Sequence, residues 1–351
     1  MIMLAAELAA GVALLLWSVR LIRTGVERAF MNGLKRHLKA ISKRRISAAA
    51  GGGLAAMLMQ SSTAVALIGA GFAVSGLLAP HSALALLLGA DLGSALMARV
   101  LISPIDVVVP FALLIGVATF LKARSRRTKQ IGRIIIGFAL VFMALGMIRA
   151  ATAPISENAI VQSIAIYFES DFLSAFVLGA ALAWTMHSSL AAVLTYATFA
   201  AAGVISAPVG AALVIGANAG AALIPFGLLW SGERPAKLLV LGNLIARALV
   251  TLAFLALLFL GPLNLGYFGS EASQQVIMLH VVLNTVLLVV ALPLVKPIAH
   301  LCGVLLPKQA DPKDQTMTAL DPNALDHPPL ALACTQRELL RMAETVQAML
   351  M

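Results

Sequence analysis

The sequence is short of the residues that soluble and secreted domains depend on. Of its 351 residues only 11% are charged and 6% are aromatic, and its two cysteines are Cys302 and Cys334. Two cysteines give no disulfide framework and no zinc-ligand spacing. The scarcity of charge excludes an ordinary soluble globule, because 61% of the residues are apolar and the mean hydropathy is +0.97. We therefore predict an all-α fold, a polytopic membrane protein built from apolar helices.

Acidic residues are also scarce where basic residues cluster. The net charge is +10, and nine Lys and Arg residues fall within residues 20–45 beside a single acid, Glu27. Six more fall within residues 122–133 without any acid. Basic loops between apolar spans are typical of the cytoplasmic side of a membrane protein, so nucleic acid is not expected as a partner. A solvated basic surface or contact with the anionic lipid bilayer explains the charge better.

The chain repeats itself after 127 residues without a gap. Residues 51–98 and 178–225 share 18 identities in 48 positions, and many fall on polar and small residues rather than on Ala and Leu. The matching polar stretches are Gln60-Ser61-Ser62 with His187-Ser188-Ser189, and Gly89-Ala90-Asp91-Leu92-Gly93 with Gly216-Ala217-Asn218-Ala219-Gly220. Duplicated apolar segments with polar, glycine-broken stretches in matching places are typical of secondary transporters, with the site at the repeat interface.

The apolar runs and basic loops predict a transmembrane domain of residues 1–307 with two inverted-topology repeats. Repeat one covers about residues 4–123 and repeat two about residues 131–250. Each is predicted to contain three full crossings and one broken re-entrant helical hairpin, and an odd number of crossings inverts the second repeat. The hairpins are expected at Ala48–Leu78 and Phe172–Val204.

The remaining segments complete the predicted topology. The first apolar run, Leu4–Ile22, is expected to be retained as a helix that starts outside, followed by a cytoplasmic interfacial helix in the basic stretch. Residues 150–171 are predicted to form an outer loop, and an extra span at about residues 276–304 returns to the cytoplasm. Residues 308–329 are rich in Pro and Asp, which predicts a cytoplasmic linker. Residues 330–351 have the spacing of an amphipathic helix that needs a partner helix.

The paired serines are predicted to hold an anion. Two consecutive hydroxyls cannot share one helix face, but at an unwound tip both can point at one ligand beside free backbone N–H groups. Helix N-termini also carry partial positive charge, which suits an oxyanion. A single Ser-Ser pair is more often a packing feature, but its recurrence at equivalent positions favours a site. His187, in the place of Gln60, fits a packed histidine and an anion ligand equally well.

Asp91 and Asn218 stand at equivalent positions after the hairpins and are predicted to bind a cation. A carboxylate among apolar spans is costly unless it meets a cation or a donor, and Asn supplies a second oxygen without titrating. This combination fits sodium better than a proton relay. The alternative is an ion pair between Asp91 and Arg99 or Arg247.

Two other polar patterns have simpler interpretations. The i,i+4 pairs His280 with Asn284 and Asn243 with Arg247 are predicted to form hydrogen bonds between helices. A serine hydrolase would need a base beside Ser188, but no Gly-x-Ser-x-Gly elbow occurs, and glutamine replaces His187 in the first copy. We therefore expect that the chain is not an enzyme.

The repeated motifs resemble the type II sodium/phosphate cotransporter family, in its bacterial branch. The resemblance rests on Gln60-Ser61-Ser62-Thr63, on its copy His187-Ser188-Ser189-Leu190 and on the Gly-Ala-Asp/Asn-x-Gly stretches, and covers about residues 4–305. It implies sodium-coupled movement of inorganic phosphate, held between the two serine hairpins. The predicted phosphate-binding residues are Gln60, Ser61, Ser62, Thr63, His187, Ser188 and Ser189. The predicted sodium-binding residues are Gln60, Ser62, Asp91, Ser189 and Asn218.

The second hairpin departs from the family pattern at two positions. His187 stands where the family usually has Gln, and Leu190 where it often has Ser, which leaves the ion stoichiometry and the exact anion open. The resemblance also implies that residues 330–351 begin a cytoplasmic helical domain similar to the phosphate-signalling protein PhoU.

The predicted function is a sodium-coupled secondary transporter of inorganic phosphate in the bacterial inner membrane. Sodium is the coupling ion and no other cofactor is expected. The N-terminus is predicted outside and the C-terminus in the cytoplasm. The alternatives are a carrier or channel for another small oxyanion and a phosphate-sensing membrane scaffold.

Overall fold

The fold is helical throughout the part of the chain that the computed structural model describes, namely residues 2–42, 44–103, 106–156, 158–261, 263–307 and 328–350. These ranges contain thirteen α-helices, two short 3-10 helices and no β-strand. Six of the described helices are long and apolar enough to cross a membrane. The predicted all-α, multi-pass membrane fold is confirmed at this level.

The first half consists of one long helix, a pair of short helices and two further helices. They are α1 (Ile2–Ile41), α2 (Arg45–Met59), α3 (Ser62–Val74), α4 (Pro80–Leu101) and α5 (Val109–Lys122), with a 3-10 turn at Asp106–Val108. The basic stretch is helical as far as Ile41, but it continues α1 and does not form a second helix after the first span, as was predicted. Residues 20–41 contain no proline that would interrupt the backbone hydrogen bonds of this helix.

The second half reproduces the boundaries of three helices of the first half. Its helices are α6 (Arg126–Thr152), α7 (Ala159–Ser170), α8 (Phe172–Thr185), α9 (Ser189–Ala201), α10 (Ala207–Leu229), α11 (Arg234–Phe259) and α12 (Ala272–Leu305), with a 3-10 turn at Leu265–Phe268. A shift of 127 residues places α2, α3 and α4 on α8, α9 and α10 with ends that agree to within one residue. The sequence duplication is therefore a duplication of local structure.

The repeat counterpart of α1 is divided into α6 and α7. Pro154 lies in the break between them, and proline removes a backbone donor and clashes with the preceding turn of a helix. The outer loop predicted at residues 150–171 therefore contains the twelve-residue helix α7. Helices α7 and α8 meet at an angle of 109°. Asp171 begins α8 by accepting hydrogen bonds from the backbone N–H groups of Leu173 and Ser174.

Helix α2 packs on α4, and α8 packs on α10, through glycine. A Cβ atom at Gly89 would overlap the carbonyl oxygen of Ala49, and one at Gly216 would overlap the carbonyl oxygen of Phe176. These two glycines occupy equivalent positions in the repeats. Small residues at helix crossings are a common means of packing in membranes, because lipid supplies no hydrophobic force between helices.

A side-chain hydrogen bond joins the two helices of the second hairpin. The Tyr196 hydroxyl on α9 donates to the carbonyl oxygen of Gly179 on α8 at 3.1 Å, and both residues are largely shielded. The equivalent positions in the first hairpin are Gly69 and Gly52. Because Gly69 has no side chain, the first hairpin lacks this connection between its two helices.

The chain divides into two compact units, of which the first ends at Leu306. The second unit contains one described helix, α13 (Pro328–Leu350). Most of the linker predicted at residues 308–329 lies outside the described residues, and its last two residues belong to α13. Prolines are compatible with the first turn of a helix, because the N–H groups of that turn have no helical acceptor.

Candidate functional site

Both short-helix hairpins turn at a non-glycine residue in the left-handed region. Gln60 ends α2 with φ 52° and ψ 32°, and His187 has φ 50°. Among the described residues these are the two non-glycine positions with positive φ. This region is costly for a residue with a side chain, and such strain is concentrated at functional sites. The duplication therefore preserves a strained turn as well as a sequence motif.

The first serine of each pair caps the helix after the turn. Ser61 is extended, with φ −156° and ψ 110°, and its Oγ accepts a hydrogen bond from the backbone N–H of Ala64 at 3.2 Å. Ser188 has φ −156° and ψ 103°, and its Oγ accepts from the backbone N–H of Ala191, also at 3.2 Å. Helices α3 and α9 thus begin at equivalent N-caps, and the first turn of a helix has further N–H groups that can face an anion.

The two tips line the same cavity, which has a volume of about 600 Å³. All seven residues predicted to bind phosphate are on its wall, namely Gln60, Ser61, Ser62, Thr63, His187, Ser188 and Ser189. The fold therefore brings together two motifs that are 127 residues apart in the sequence. Their roles as ligands stay predictions, but their meeting in one cavity is what a site shared by two repeats requires.

Gln60 is the one residue of these seven that is buried. Its side chain is only 1% exposed, and neither Nε2 nor Oε1 has a hydrogen-bond partner. Leaving buried polar atoms unpaired costs about 1–3 kcal/mol for each group. The Gln60 amide can therefore bind a ligand in the cavity, because Nε2 can donate to an anion and Oε1 can accept from a donor or coordinate a cation.

His187 occupies the same turn position but is exposed. Its Nδ1 lies 3.1 Å from the carbonyl oxygen of Thr185. A carbonyl can only accept, so Nδ1 carries a proton and donates it to this bond. In the neutral ring Nε2 is then an acceptor, whereas Gln60 offers both a donor and an acceptor at the equivalent place. The two tips therefore present different chemistry to the cavity.

Sequence reasoning missed two arginines of the cavity wall. Arg20 and Arg23 on α1 line the cavity together with Trp17, and so does Ser94 on α4. Both arginines were counted with the basic stretch of residues 20–45 and were given no part in the site. Positions 17, 20 and 23 lie on one helix face, a spacing that would have revealed them once α1 was extended through the basic stretch.

A second cavity of about 730 Å³ adjoins the first along α1. The two cavities share Arg23, Thr63 and His187 in their walls. The second cavity is also lined by Glu27 and Lys35, and Arg23 Nε lies 3.9 Å from Glu27 Oε1. Charged side chains of α1 therefore extend from the serine tips toward the basic end of that helix.

Asp91 is buried and lies outside the set of residues that line the serine cavity. It forms an ion pair with Arg247, whose Nε donates to Asp91 Oδ2 at 3.0 Å and whose Nη2 contacts Oδ1. Arg247 Nη1 also donates to the carbonyl oxygen of Asn218 at 2.9 Å. The ion-pair alternative is therefore the arrangement found, with Arg247 and not Arg99 as partner.

The side chain of Asn218 is held by α12. Asn218 Nδ2 donates to His280 Nδ1 at 2.9 Å, and Asn218 Oδ1 accepts from Asn284 Nδ2 at 2.9 Å. The hydrogen bonding between helices that was predicted for His280 and Asn284 is confirmed. In this conformation a guanidinium neutralises Asp91 and an amide donates to the Asn218 oxygen, so these two of the five residues predicted to bind sodium already have partners.

Fold and site together define a multi-pass membrane protein with a polar cavity built from two copies of one motif. Residues 14–150 match the family model described as Na+/Pi-cotransporter. The chain is 37% identical over 346 residues to YjbB of Escherichia coli strain K12, described as a candidate inorganic phosphate export protein. It is 36% identical over 350 residues to YjbB of Salmonella typhimurium. YqeW of Bacillus subtilis is 24% identical over 148 residues, covering 42% of this chain and 48% of YqeW. No solved structure matches the chain.

These matches are to the family predicted from the serine motifs, so the resemblance itself is confirmed. Both YjbB matches cover 98% of this chain and 64% of the relative, so the chain spans less than two thirds of the length of these proteins. The similarity to a transporter family agrees with the expectation that the chain is not an enzyme.

Proposed function

We propose that the chain is a sodium-coupled secondary carrier that moves inorganic phosphate across the bacterial inner membrane. The observation that carries this proposal is the buried, unpaired amide of Gln60 beside two capped serine tips in one cavity. A dissolved oxyanion must exchange its hydration shell for protein donors, and the hydroxyls and first-turn N–H groups of α3 and α9 supply them. The name of the YjbB relatives, which refers to phosphate export, supports phosphate as the anion.

Arg20 and Arg23 add the positive charge that a doubly charged anion needs. Serine hydroxyls and backbone N–H groups carry only partial charge, whereas each guanidinium carries a full charge and several donors. Both arginines line the serine cavity, and Arg23 also lines the adjoining one. We propose that they attract phosphate toward the tips. The direction of net flux follows the combined gradients of phosphate and sodium.

Sodium is proposed to bind beside phosphate through oxygens of Gln60, Ser62 and Ser189, which line the cavity. Asp91 and Asn218 were predicted as further sodium ligands, but they are joined to Arg247 and to α12. We therefore propose that these two residues hold α4, α10, α11 and α12 together rather than bind sodium. Opposite charges in one water-poor cavity favour each other, which would couple the binding of the two ions.

Transport by purified protein in proteoliposomes tests this proposal. Replacing Ser61 or Ser188 with alanine is expected to raise the phosphate concentration for half-maximal transport about 5- to 150-fold, because each change removes contacts worth roughly 1–3 kcal/mol. The measurement is uptake of radiolabelled phosphate with and without a sodium gradient. Accumulation above equilibrium only with sodium is expected.

Ser125→Ala is the matched control for the loss of a helix cap. Ser125 caps α6 by accepting from the backbone N–H of Thr128 at 3.0 Å, as Ser61 and Ser188 do for their helices, but it does not line the cavity. This variant should transport phosphate with unchanged affinity. Equal affinity in all three variants would show that the serines only cap helices. Downhill flux that ignores sodium would favour an anion channel instead.

We also propose that the two repeats are inverted and that α2–α3 and α8–α9 are re-entrant hairpins. Each pair consists of helices of 13–15 residues, too short to span about 30 Å of hydrocarbon singly, and each turns at a strained residue. In a Cys334→Ser background, cysteine at exposed position 125 should react only with reagent on the cytoplasmic side, and cysteine at exposed position 163 only with reagent outside. Labelling of both positions from one side would refute the inversion.

The second unit is proposed to begin a cytoplasmic helical region similar to PhoU. Helix α13 is amphipathic, and Leu332, Leu339 and Val346 on it are exposed. A single helix cannot bury such a face alone, so another helix would have to cover it.

A further inference from the structure

A groove of about 660 Å³ separates the start of α2 from the middle of α12. It is lined by Arg44, Arg45, Ile46, Ser47 and Ala50 on one side and by Leu292 and Pro293 on the other. Helix α4 packs against both α2 and α12, so the groove lies between two helices that share a neighbour. None of its lining residues lines the serine cavity or the cavity beside it.

The proline pair in α12 leaves a backbone carbonyl at the groove without its helical hydrogen bond. Pro297 has no N–H group, so the carbonyl of Pro293, four residues earlier, has no helical donor. The guanidinium of Arg45 supplies the missing bond, with Nη1 donating to Pro293 O at 3.3 Å. Arg45 is thereby held at the edge of the groove with further N–H groups available to a ligand.

Positive charge is concentrated at this edge. Arg44 and Lys296 are exposed, and Lys296 follows Pro293 by about one turn of α12. No acidic residue is among the groove residues. A multivalent basic edge of this kind favours a phosphate group, and phosphate accepts hydrogen bonds from a guanidinium in a bidentate manner.

The groove continues into apolar surface that faces away from the protein. Ile46, Ala50 and Leu54 follow one row of α2 at intervals of four residues, and Ile46 is 76% and Leu54 is 64% exposed. On α12, Val289 lies one turn before Leu292 and is 66% exposed. An apolar track leads away from the basic edge on both sides, which a free inorganic anion would not use.

We infer that this groove is a binding site for an anionic phospholipid, separate from the transport site and independent of the proposed function. The headgroup phosphate lies between Arg44, Arg45 and Lys296, and an acyl chain lies along Ile46 and Leu54. Basic pockets between membrane helices on the cytoplasmic side bind anionic headgroups in this way. The groove belongs to the end of α2 that follows the basic part of α1, where positive charge predicts the cytoplasmic leaflet.

Native mass spectrometry of the full chain released from detergent tests the inference, with phosphatidylglycerol and phosphatidylcholine of equal chain length as probes. The wild-type chain should retain phosphatidylglycerol preferentially. The double variant Arg44→Gln, Arg45→Gln should lose roughly 5-fold affinity for each arginine removed. The double variant Arg124→Gln, Arg126→Gln removes the same charge from two exposed positions of the other basic cluster and should retain the lipid as the wild type does.

Three results would overturn the inference. Equal retention of phosphatidylcholine would show that the headgroup charge is not recognised, and equal loss in both double variants would show that only net charge matters. Displacement of the lipid by inorganic phosphate at millimolar concentration would assign the basic edge to a soluble anion. A folding control accompanies each variant, because a monodisperse elution profile and unchanged helix content separate loss of lipid from loss of structure.

Discussion

Arg247→Gln is expected to lower the thermal stability of the protein sharply and to reduce the yield of folded chain in the membrane. The ion pair of Arg247 with Asp91 is almost completely shielded, with side-chain exposures of 3% and 1%. Removing one partner leaves an uncompensated buried charge, which typically costs about 3–5 kcal/mol. The change also removes the bond to the Asn218 carbonyl that joins α11 to α10. Thermal unfolding in detergent, followed by fluorescence, measures the loss.

The double variant Asp91→Asn, Arg247→Gln tests whether the stability loss comes from the unpaired carboxylate. It removes both charges and should recover most of the stability that Arg247→Gln loses, because two neutral amides replace an unpaired carboxylate. Arg149→Gln, at an exposed position on α6, is the control for loss of an arginine and should change stability by less than about 0.5 kcal/mol. If Asp91→Asn alone keeps full stability but requires more sodium for transport, the cation role predicted from the sequence replaces the ion-pair role.

Gly89→Val and Gly216→Val are each expected to prevent correct packing of one half of the protein. A Cβ atom at either position would overlap a backbone carbonyl oxygen of the facing helix, and backbone cannot move aside as a flexible side chain can. Overpacking of this kind costs at least about 1–3 kcal/mol, and a branched side chain adds to it. The variants should aggregate or elute as misfolded species in size-exclusion chromatography.

Gly227→Val provides the control on the same helix as Gly216. A Cβ atom at Gly227 would meet nothing within 4 Å, and the residue is exposed on the part of α10 that faces away from the packed core. This variant should fold and elute like the wild type. Normal folding of Gly216→Val would mean that α8 and α10 do not require their close backbone contact.

The position of the serine tips was predictable because the duplication marks it twice. Ala, Leu and Val can replace one another on an apolar helix face, but a helix N-cap after a left-handed turn favours few residue types. Ser61 and Ser188 therefore recur in both copies, while many of the apolar residues around them differ. The same argument predicted the hairpin helices, since glycine and serine interrupt the apolar runs at matching places. The inversion of the repeats stays a prediction that rests on charge distribution.

What the sequence did not reveal depends on contacts between distant segments. Arg247 lies 156 residues from Asp91, and no spacing rule selects it over Arg99 as the ion-pair partner. Arg20 and Arg23 were counted with the basic stretch, although both lie within the continuous helix α1. Residues 150–171 were expected to be a loop because their acidic residues were used only to set the topology. The segment nevertheless contains α7, which begins after the capping residue Asn158.

The hydrogen bond from Tyr196 to Gly179 gives the two hairpins different energies of separation. Separating α9 from α8 must break this bond, at a cost of about 0.5–1.5 kcal/mol, whereas α3 can part from α2 without breaking an equivalent bond. In the carrier proposed above, any step that separates the helices of a hairpin would therefore require more free energy in the second repeat than in the first.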